Sequence, residues 1–159
     1  MATQLLDFRA IRMEDISTDA LKELGKMHLD YVRYSRDTTF TVPQVFDIIQ
    51  ACVTKPNLPF QFWLLLEGEK IAGFALTEAQ AGPKGPELNI AQAYIAPDYR
   101  VPETQRMTIE RFEDFARSKG CVFLTSCTRR DPIGAYIRWM GRVGFKKRWI
   151  VMEKDLRGK

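Results

Sequence analysis

Three apolar, strand-like segments follow one another in the middle of the chain, and this succession restricts the possible folds most. Residues 60–66, 71–79 and 87–96 are rich in apolar side chains and are separated by turn-forming sequences. Residues 67–70 (EGEK) predict a hairpin connection, and the Pro/Gly cluster at residues 82–86 predicts a five-residue loop. The sequence therefore predicts an antiparallel meander of three strands.

Two helical patterns precede this meander. The second begins at Thr41, an N-cap candidate, and Pro43 falls in its first turn, where the missing N–H costs nothing. A weakly alternating segment at residues 6–13 predicts a strand before both helices. The first helical pattern covers residues 17–35 and has one face made of Leu21, Leu24, His28 and Tyr31.

After the meander the pattern changes to helix, strand, helix and strand. The predicted bounds are residues 103–119, 122–126, 131–142 and 145–156, with Gly120 ending the first of these helices. Asp131 and Pro132 are expected to cap and start the second. The order βααβββαβαβ indicates an α/β (α+β) fold with a mixed twisted sheet, whose last part has a parallel crossover. We expect one domain over residues 1–159.

The composition is that of a soluble globular chain. Apolar residues make up 45% of the 159 residues, and no apolar run approaches the roughly 18 residues of a membrane helix. The N-terminal residues lack the pattern of a signal peptide. Three cysteines without a CxxC pair and a single histidine predict neither a disulfide framework nor a metal site. We therefore expect a cytoplasmic protein without a bound metal or a membrane association.

Charge is distributed unevenly along the chain. Residues 117–159 contain 12 basic and 3 acidic side chains, whereas residues 1–116 contain 12 basic and 17 acidic ones. The basic third is either a solvated surface or a site for an anionic ligand or partner. A nucleotide ligand predicts a cleft lined by some of Arg129, Arg130, Lys146 and Lys147. Nucleic acid is an unlikely partner, because no recognised motif accompanies the charge.

Several segments resemble the GNAT superfamily of N-acetyltransferases. Residues 70–74 (KIAGF) resemble its third strand, and residues 94–100 (YIAPDYR) resemble the end of its fourth strand and the start of its cofactor loop. Gly144-Phe145 after the last predicted helix is a further match. The element order agrees with the superfamily over almost the whole chain, so the resemblance implies a GNAT-like sheet with a splayed pair of central parallel strands.

The resemblance implies acetyl-CoA as the acetyl donor. The pantetheine arm of the donor is expected to bind like an added strand along Ala93, Tyr94 and Ile95. Its pyrophosphate is expected at the start of the following helix, where N–H groups and the helix dipole favour an anion. Trp139 and Met140 are assigned to the cofactor side of the last helix. The predicted phosphate loop consists of Arg100, Val101, Glu103, Thr104, Gln105 and Arg106.

This loop departs from the superfamily pattern, so we describe it as a degenerate P-loop. Glu103 and Gln105 occupy its two glycine positions, and Pro102 removes an N–H donor. Arg100 and Arg106 remain as charge partners for a phosphate. The alternative is that residues 101–104 simply start a helix, with an acidic residue in its first turn.

Candidate catalytic residues are few. Glu78 and Glu87 on central strands are general-base candidates, or else solvated strand ends. Met140 stands where the superfamily often has the tyrosine that protonates the thiolate, and Tyr136 is the nearest replacement or a packing residue. His28 and Tyr31 lie on the helix that lines the acceptor side in the superfamily, although burial is the alternative for His28.

The sequence thus predicts an acetyl-CoA-dependent N-acetyltransferase, in which an amine attacks the thioester directly. The acceptor is a small-molecule or protein amine, and a homodimer is expected from the habit of the superfamily. The alternative is a catalytically inactive GNAT-like binding or structural protein that has lost tight CoA binding. A similarity of residues 136–140 to GNAT-like proteins of bacteriophages adds a phage origin to that alternative.

Overall fold

The fold is described from a computed structural model, which covers residues 7–10, 16–35, 40–55, 58–127 and 134–148. A short 3₁₀ helix, Pro97–Tyr99, lies before the third α-helix. The strands and α-helices in chain order are β1 (Asp7–Ala10), α1 (Thr18–Ser35), α2 (Val42–Thr54), β2 (Phe60–Glu67), β3 (Lys70–Gly82), β4 (Gly85–Ile95), α3 (Pro102–Ser118), β5 (Phe123–Ser126) and α4 (Gly134–Gly141).

The strands form one mixed sheet in the order β1-β2-β3-β4-β5. The first three pairs are antiparallel, and β4 pairs with β5 in parallel. The meander is therefore confirmed, but the predicted five-residue loop at residues 82–86 is wrong. Gly82 pairs with Gly85, so only Pro83 and Lys84 form the turn. Both strands continue through Gly82 and Gly85, because the backbones of these two glycines form the last pair of the β3–β4 ladder before the turn.

The helix starts follow from local side chains. Thr41 caps α2 in a capping box: its hydroxyl accepts the Gln44 N–H, and the Gln44 side chain accepts the Thr41 N–H. Pro43 lies in the first turn, as predicted. Ser17 accepts the Ala20 N–H at the start of α1. These caps satisfy N–H groups that have no partner inside the helix.

The sheet carries a hydrophobic core on each face. Helices α1 and α2 cover one face with side chains such as Leu24 and Ile49, which pack against Phe62 and Phe74. Helices α3 and α4 cover the other face, where Phe112 packs in a cluster with Trp63, Leu88, Ile109 and Met140. We name these the α1/α2 face and the α3/α4 face.

A one-residue bulge interrupts β4 near its middle. Thr77 of β3 pairs with Ile90 and Leu76 pairs with Gln92, so Ala91 has no partner on β3. The bulge reverses the alternation of side chains along β4. Leu88 and Ile90 point to the α3/α4 face before it, and Ala93 and Ile95 do so after it. Tyr94 consequently points to the α1/α2 face.

Two predictions about the C-terminal third, the last strand and the end of the helix before it, can be compared with the described residues. Residues 145–148 are neither helix nor strand, so the predicted strand at 145–156 does not begin at Phe145. The remainder of that strand lies outside the described residues, as do Asp131 and Pro132. Gly144 has a left-handed backbone with φ of +88° just after α4, which agrees with the predicted end of the helix there.

Replacing Gly73 with alanine should destabilise the sheet. A Cβ atom at Gly73 would lie 2.3 Å from the Tyr94 carbonyl oxygen on β4. Because the clashing atom belongs to the backbone of a paired strand, relief requires moving that strand. We expect Gly73→Ala to lower the free energy of unfolding by about 1–3 kcal/mol, measured by urea titration.

Gly141→Ala is the matched control for this substitution. A Cβ atom at Gly141 meets nothing within 4 Å, and alanine is favoured over glycine in a helix. The control should therefore be neutral or slightly stabilising. Equal effects of the two substitutions would contradict the close approach of β3 and β4 at Gly73.

Candidate functional site

Strands β4 and β5 separate after only four paired residues. The parallel pairs run from Glu87 with Phe123 to Ile90 with Ser126, where β5 ends. The bulge at Ala91 comes directly after the last pair. Within the described part of the chain, residues 91–95 therefore have a strand neighbour only on the β3 side. This confirms the predicted splayed pair and leaves an open edge on β4.

The backbone groups on this edge belong to Ala93 and Ile95. The Ala96 N–H donates to the Ala72 carbonyl on β3. Since backbone groups of a strand alternate in direction, Tyr94 also faces β3 while Ala93 and Ile95 face away from it. Two residues thus present N–H and C=O groups to the gap, and an extended chain with amide groups can pair with them.

Arg100 lies against this edge. Its Nε donates to the Ile95 carbonyl at 2.7 Å. The guanidinium carbon lies 5.3 Å from the ring centre of Tyr94 and 5.4 Å from that of Tyr34 on α1. Burial raises the pKa of the Tyr94 phenol, while the positive charge of Arg100 acts in the opposite direction. The arginine predicted to bind a phosphate is therefore held between two tyrosines.

The start of α3 differs from a glycine-rich phosphate loop at several positions. Val101 is the N-cap and provides no side-chain hydrogen bond, and Pro102 occupies the first turn without an N–H. Glu103 is exposed. Gln105 is only 3% exposed, because its amide points inward and donates to the Trp139 carbonyl on α4 at 2.7 Å. Thr104 is also buried.

A groove of about 520 Å³ runs between the first turns of α3 and the end of α4. In the part of the chain that the structure describes, its charged lining consists of three carboxylates and two guanidinium groups. The Arg106 guanidinium is 3.4 Å from Glu110 on the next turn. The lining residues are Pro102, Glu103, Gln105, Arg106, Ile109, Glu110, Glu113, Arg142 and Val143.

Of the described basic residues in the C-terminal third, only Arg142 lines this groove. Lys146 and Lys147 are exposed but do not line it, and Arg129 and Arg130 lie outside the described residues. The predicted basic cleft is thus not formed by the two described lysines. Arg142 was missed as a site residue because its proximity to α3 depends on how α4 packs.

Tyr136 lies where β4 and β5 separate. Its hydroxyl is 2.6 Å from the Ser126 hydroxyl, and Ser126 is the last residue of β5. A phenol at this position is a proton donor close to the open edge. Trp139 is half-buried beside it, with 6.2 Å between the ring centres. Met140 is buried in the core of the α3/α4 face, which favours packing over contact with a cofactor.

Glu87 is buried in an ion pair. The side chain is 3% exposed, and its carboxylate accepts hydrogen bonds from Arg148 at 2.7 Å and Gln80 at 2.8 Å. The Arg148 hydrogen bond lowers the pKa of Glu87, and the Gln80 bond adds to this. A carboxylate that is paired and weakly basic favours a structural role over that of a general base.

Glu78 is half-buried and better placed than Glu87 for proton transfer. It lies on β3 two residues after Leu76, so strand alternation directs it to the α1/α2 face. Its strand neighbours are Phe60 on β2 and Asn89 on β4. Among the described residues Glu78 forms no salt bridge.

The two residues predicted to bind the acceptor are both buried. His28 is 2% exposed and Tyr31 6%, and both pack against the Phe74 ring. This placement favours a packing role for them. Tyr34, one turn further along α1, is 62% exposed and lies over Arg100. Sequence reasoning missed Tyr34, because its importance comes from a contact with a residue 66 positions later.

Glu87→Gln should destabilise the protein in a pH-dependent way. The substitution removes the ionic interaction between Glu87 and the Arg148 guanidinium, at a cost of about 1–3 kcal/mol in the free energy of unfolding. The folded-state pKa of Glu87 lies below its ordinary value of 4.5. The contribution is therefore present above pH 4.5 and declines as the pH falls through the folded-state pKa. Urea titrations of both proteins at several pH values measure the difference.

Glu78→Gln is the matched control, since it removes a carboxylate from a neighbouring strand that has no ion pair among the described residues. It should lower the free energy of unfolding less than Glu87→Gln does, and this decrease should vary less with pH. A Glu87→Gln protein as stable as the wild type at pH 7 would contradict the ion pair.

No protein-family model and no curated protein matches the sequence. The aminoglycoside N-acetyltransferase AAC(6')-Iy in complex with CoA is similar in structure, with a TM-score of 0.71 and 12% identity over 96% of this chain and 95% of that one.

Two further acetyltransferases agree with this result. A possible acetyltransferase from Clostridium difficile 630 has a TM-score of 0.68 and 12% identity, covering 96% of this chain and 98% of that one. Ribosomal-protein-alanine N-acetyltransferase from Brucella melitensis biovar Abortus 2308 also has a TM-score of 0.68 and 12% identity, covering 96% and 100%. None of the described helices is long and apolar enough to cross a membrane. The chain has the fold of the GNAT acetyltransferases.

Proposed function

We propose that the protein transfers an acetyl group from acetyl-CoA to an amine on a small molecule or a protein. The observation that carries this proposal is the open edge of β4. The edge offers the N–H and C=O of Ala93 and the N–H of Ile95 in a chain whose fold matches acetyltransferases over 96% of its length. The pantetheine arm of the donor contains two amides and fits such an edge as an added strand.

The reaction is a direct displacement at the thioester carbon. The amine nitrogen forms a bond to the acetyl carbonyl carbon, the carbon–sulfur bond breaks, and sulfur leaves with the electron pair. The amine loses a proton and the sulfur gains one. The protein supplies this chemistry by aligning the two substrates and by positioning a proton acceptor and a proton donor.

Glu78 and Tyr136 are the residues best placed for proton transfer. Glu78 lies on the α1/α2 face, beside the strand that carries the open edge. Tyr136 lies at the separation of β4 and β5, through its contact with Ser126. We assign Glu78 as the general base, directly or through water, and Tyr136 as the acid that protonates the leaving sulfur.

The alternative function is a binding or structural protein without turnover. The charged lining of the α3–α4 groove favours it, because three carboxylates oppose the phosphates of CoA. A cytoplasmic location and a homodimer fit either function and are part of the same proposal. The acetyltransferase remains the first candidate, because the open edge has backbone groups with which the amides of a pantetheine arm can pair.

The proposal is tested by release of free thiol from acetyl-CoA in the presence of a panel of amines, which includes aminoglycosides, amino acids and peptides. Tyr136→Phe should lower kcat by about 100-fold, the lower end of what a general acid contributes, with KM little changed. Ser126→Ala removes the hydroxyl partner but keeps the phenol, so its effect should stay below tenfold. Absence of amine-dependent thiol release with every acceptor would favour the non-catalytic alternative.

A further inference from the structure

The charges near the start of α3 are arranged against a phosphate-rich ligand. The adenine-nucleotide half of CoA carries all of its phosphates, so it needs N–H donors and free cations. The first turn of α3 has Pro102 without an N–H, and a carboxylate at Glu103 already lies near the positive end of the helix. Among the described residues that line the groove, Glu103, Glu110 and Glu113 outnumber Arg106 and Arg142.

Two arginines near the start of α3 already have partners. Arg106 forms an ion pair with Glu110 at 3.4 Å. Arg100 donates to the Ile95 carbonyl and is stacked between Tyr34 and Tyr94, and it does not line the groove. Arg142 is the other guanidinium among the described residues that line the groove. The described part of the chain therefore offers a nucleotide phosphate little net positive charge in the groove.

The pantetheine half of CoA needs no cations for binding. It is uncharged, and its amides pair with backbone groups, which side-chain charge affects little. The open edge of β4 provides the N–H and C=O of Ala93 and the N–H of Ile95, while Arg100 covers the Ile95 carbonyl. Because Arg100 is exposed, its side chain has room to leave that carbonyl.

We propose that the site recognises its acyl donor through the pantetheine arm, and that the adenine-nucleotide half contributes little to binding. The ligand class is then the pantetheine thioesters in general, whatever the arm is attached to. This inference rests on the proposed function, because it assumes a thioester donor at β4. It differs from the function in stating which half of the donor is bound.

Titration calorimetry with acetyl-CoA and S-acetyl-pantetheine tests the inference. Their dissociation constants should agree within about tenfold, and 3′,5′-ADP should not compete with acetyl-CoA. Raising the salt concentration from 50 to 300 mM should change the affinity for acetyl-CoA less than threefold, since few phosphate contacts are screened. A 100-fold preference for acetyl-CoA overturns the inference and leaves the proposed function intact. Binding of neither thioester overturns both.

Two substitutions locate the effect. Glu103→Gln removes one carboxylate from the groove. It should raise the affinity for acetyl-CoA about threefold to tenfold and leave the affinity for S-acetyl-pantetheine unchanged. Glu69→Gln, in the exposed β2–β3 turn, changes the net charge equally and should affect neither ligand. Arg100→Ala should not weaken the binding of acetyl-CoA. A tenfold loss of affinity would indicate that Arg100 binds a phosphate and would contradict the inference.

Discussion

The bulge at Ala91 is the constraint on which the proposed site depends. A regular β4 would keep its pairing with β3 in one register. The backbone groups of residues 92 and 94, instead of those of residues 93 and 95, would then face the gap. The bulge turns Tyr94 towards α1, where its ring packs against Phe74 and below Arg100. It also coincides with the end of the β4–β5 pairing at Ser126, so the inserted residue lies where the open edge begins and decides which side chains and backbone groups face the gap along it.

The site is assembled around this edge by long-range polar contacts. Gln105 joins the start of α3 to α4 through the Trp139 carbonyl, and the Tyr136–Ser126 contact joins α4 to β5. The Glu87–Arg148 ion pair attaches the segment after α4 to the buried start of β4. Each contact fixes an element whose position decides the shape of the gap, which is why polar residues predicted to be catalytic or cofactor-binding partly serve to hold the fold.

Local features were predictable from the sequence, whereas contacts between distant elements were not. Thr41 and Pro43 mark the start of α2 because capping depends on neighbouring residues. The bulge escaped prediction, since it is defined by the register of β4 on β3 and Ala91 is an ordinary strand residue. Gln105 was expected in the phosphate loop, yet the packing of α4 turns it inward. Arg148 lies 61 residues from Glu87, beyond the range of any local pattern.

Residue-resolved amide hydrogen exchange tests the open edge most directly. In the free protein, the amides of Ala93 and Ile95 should exchange faster than the amide of Tyr94, which faces β3. Saturating S-acetyl-pantetheine should slow the exchange of the Ala93 and Ile95 amides at least tenfold and leave the exchange of the Tyr94 amide unchanged. Amides of Ala93 and Ile95 that are already as protected as Tyr94 in the free protein, or that do not respond to the bound ligand, would contradict a donor-binding edge on β4.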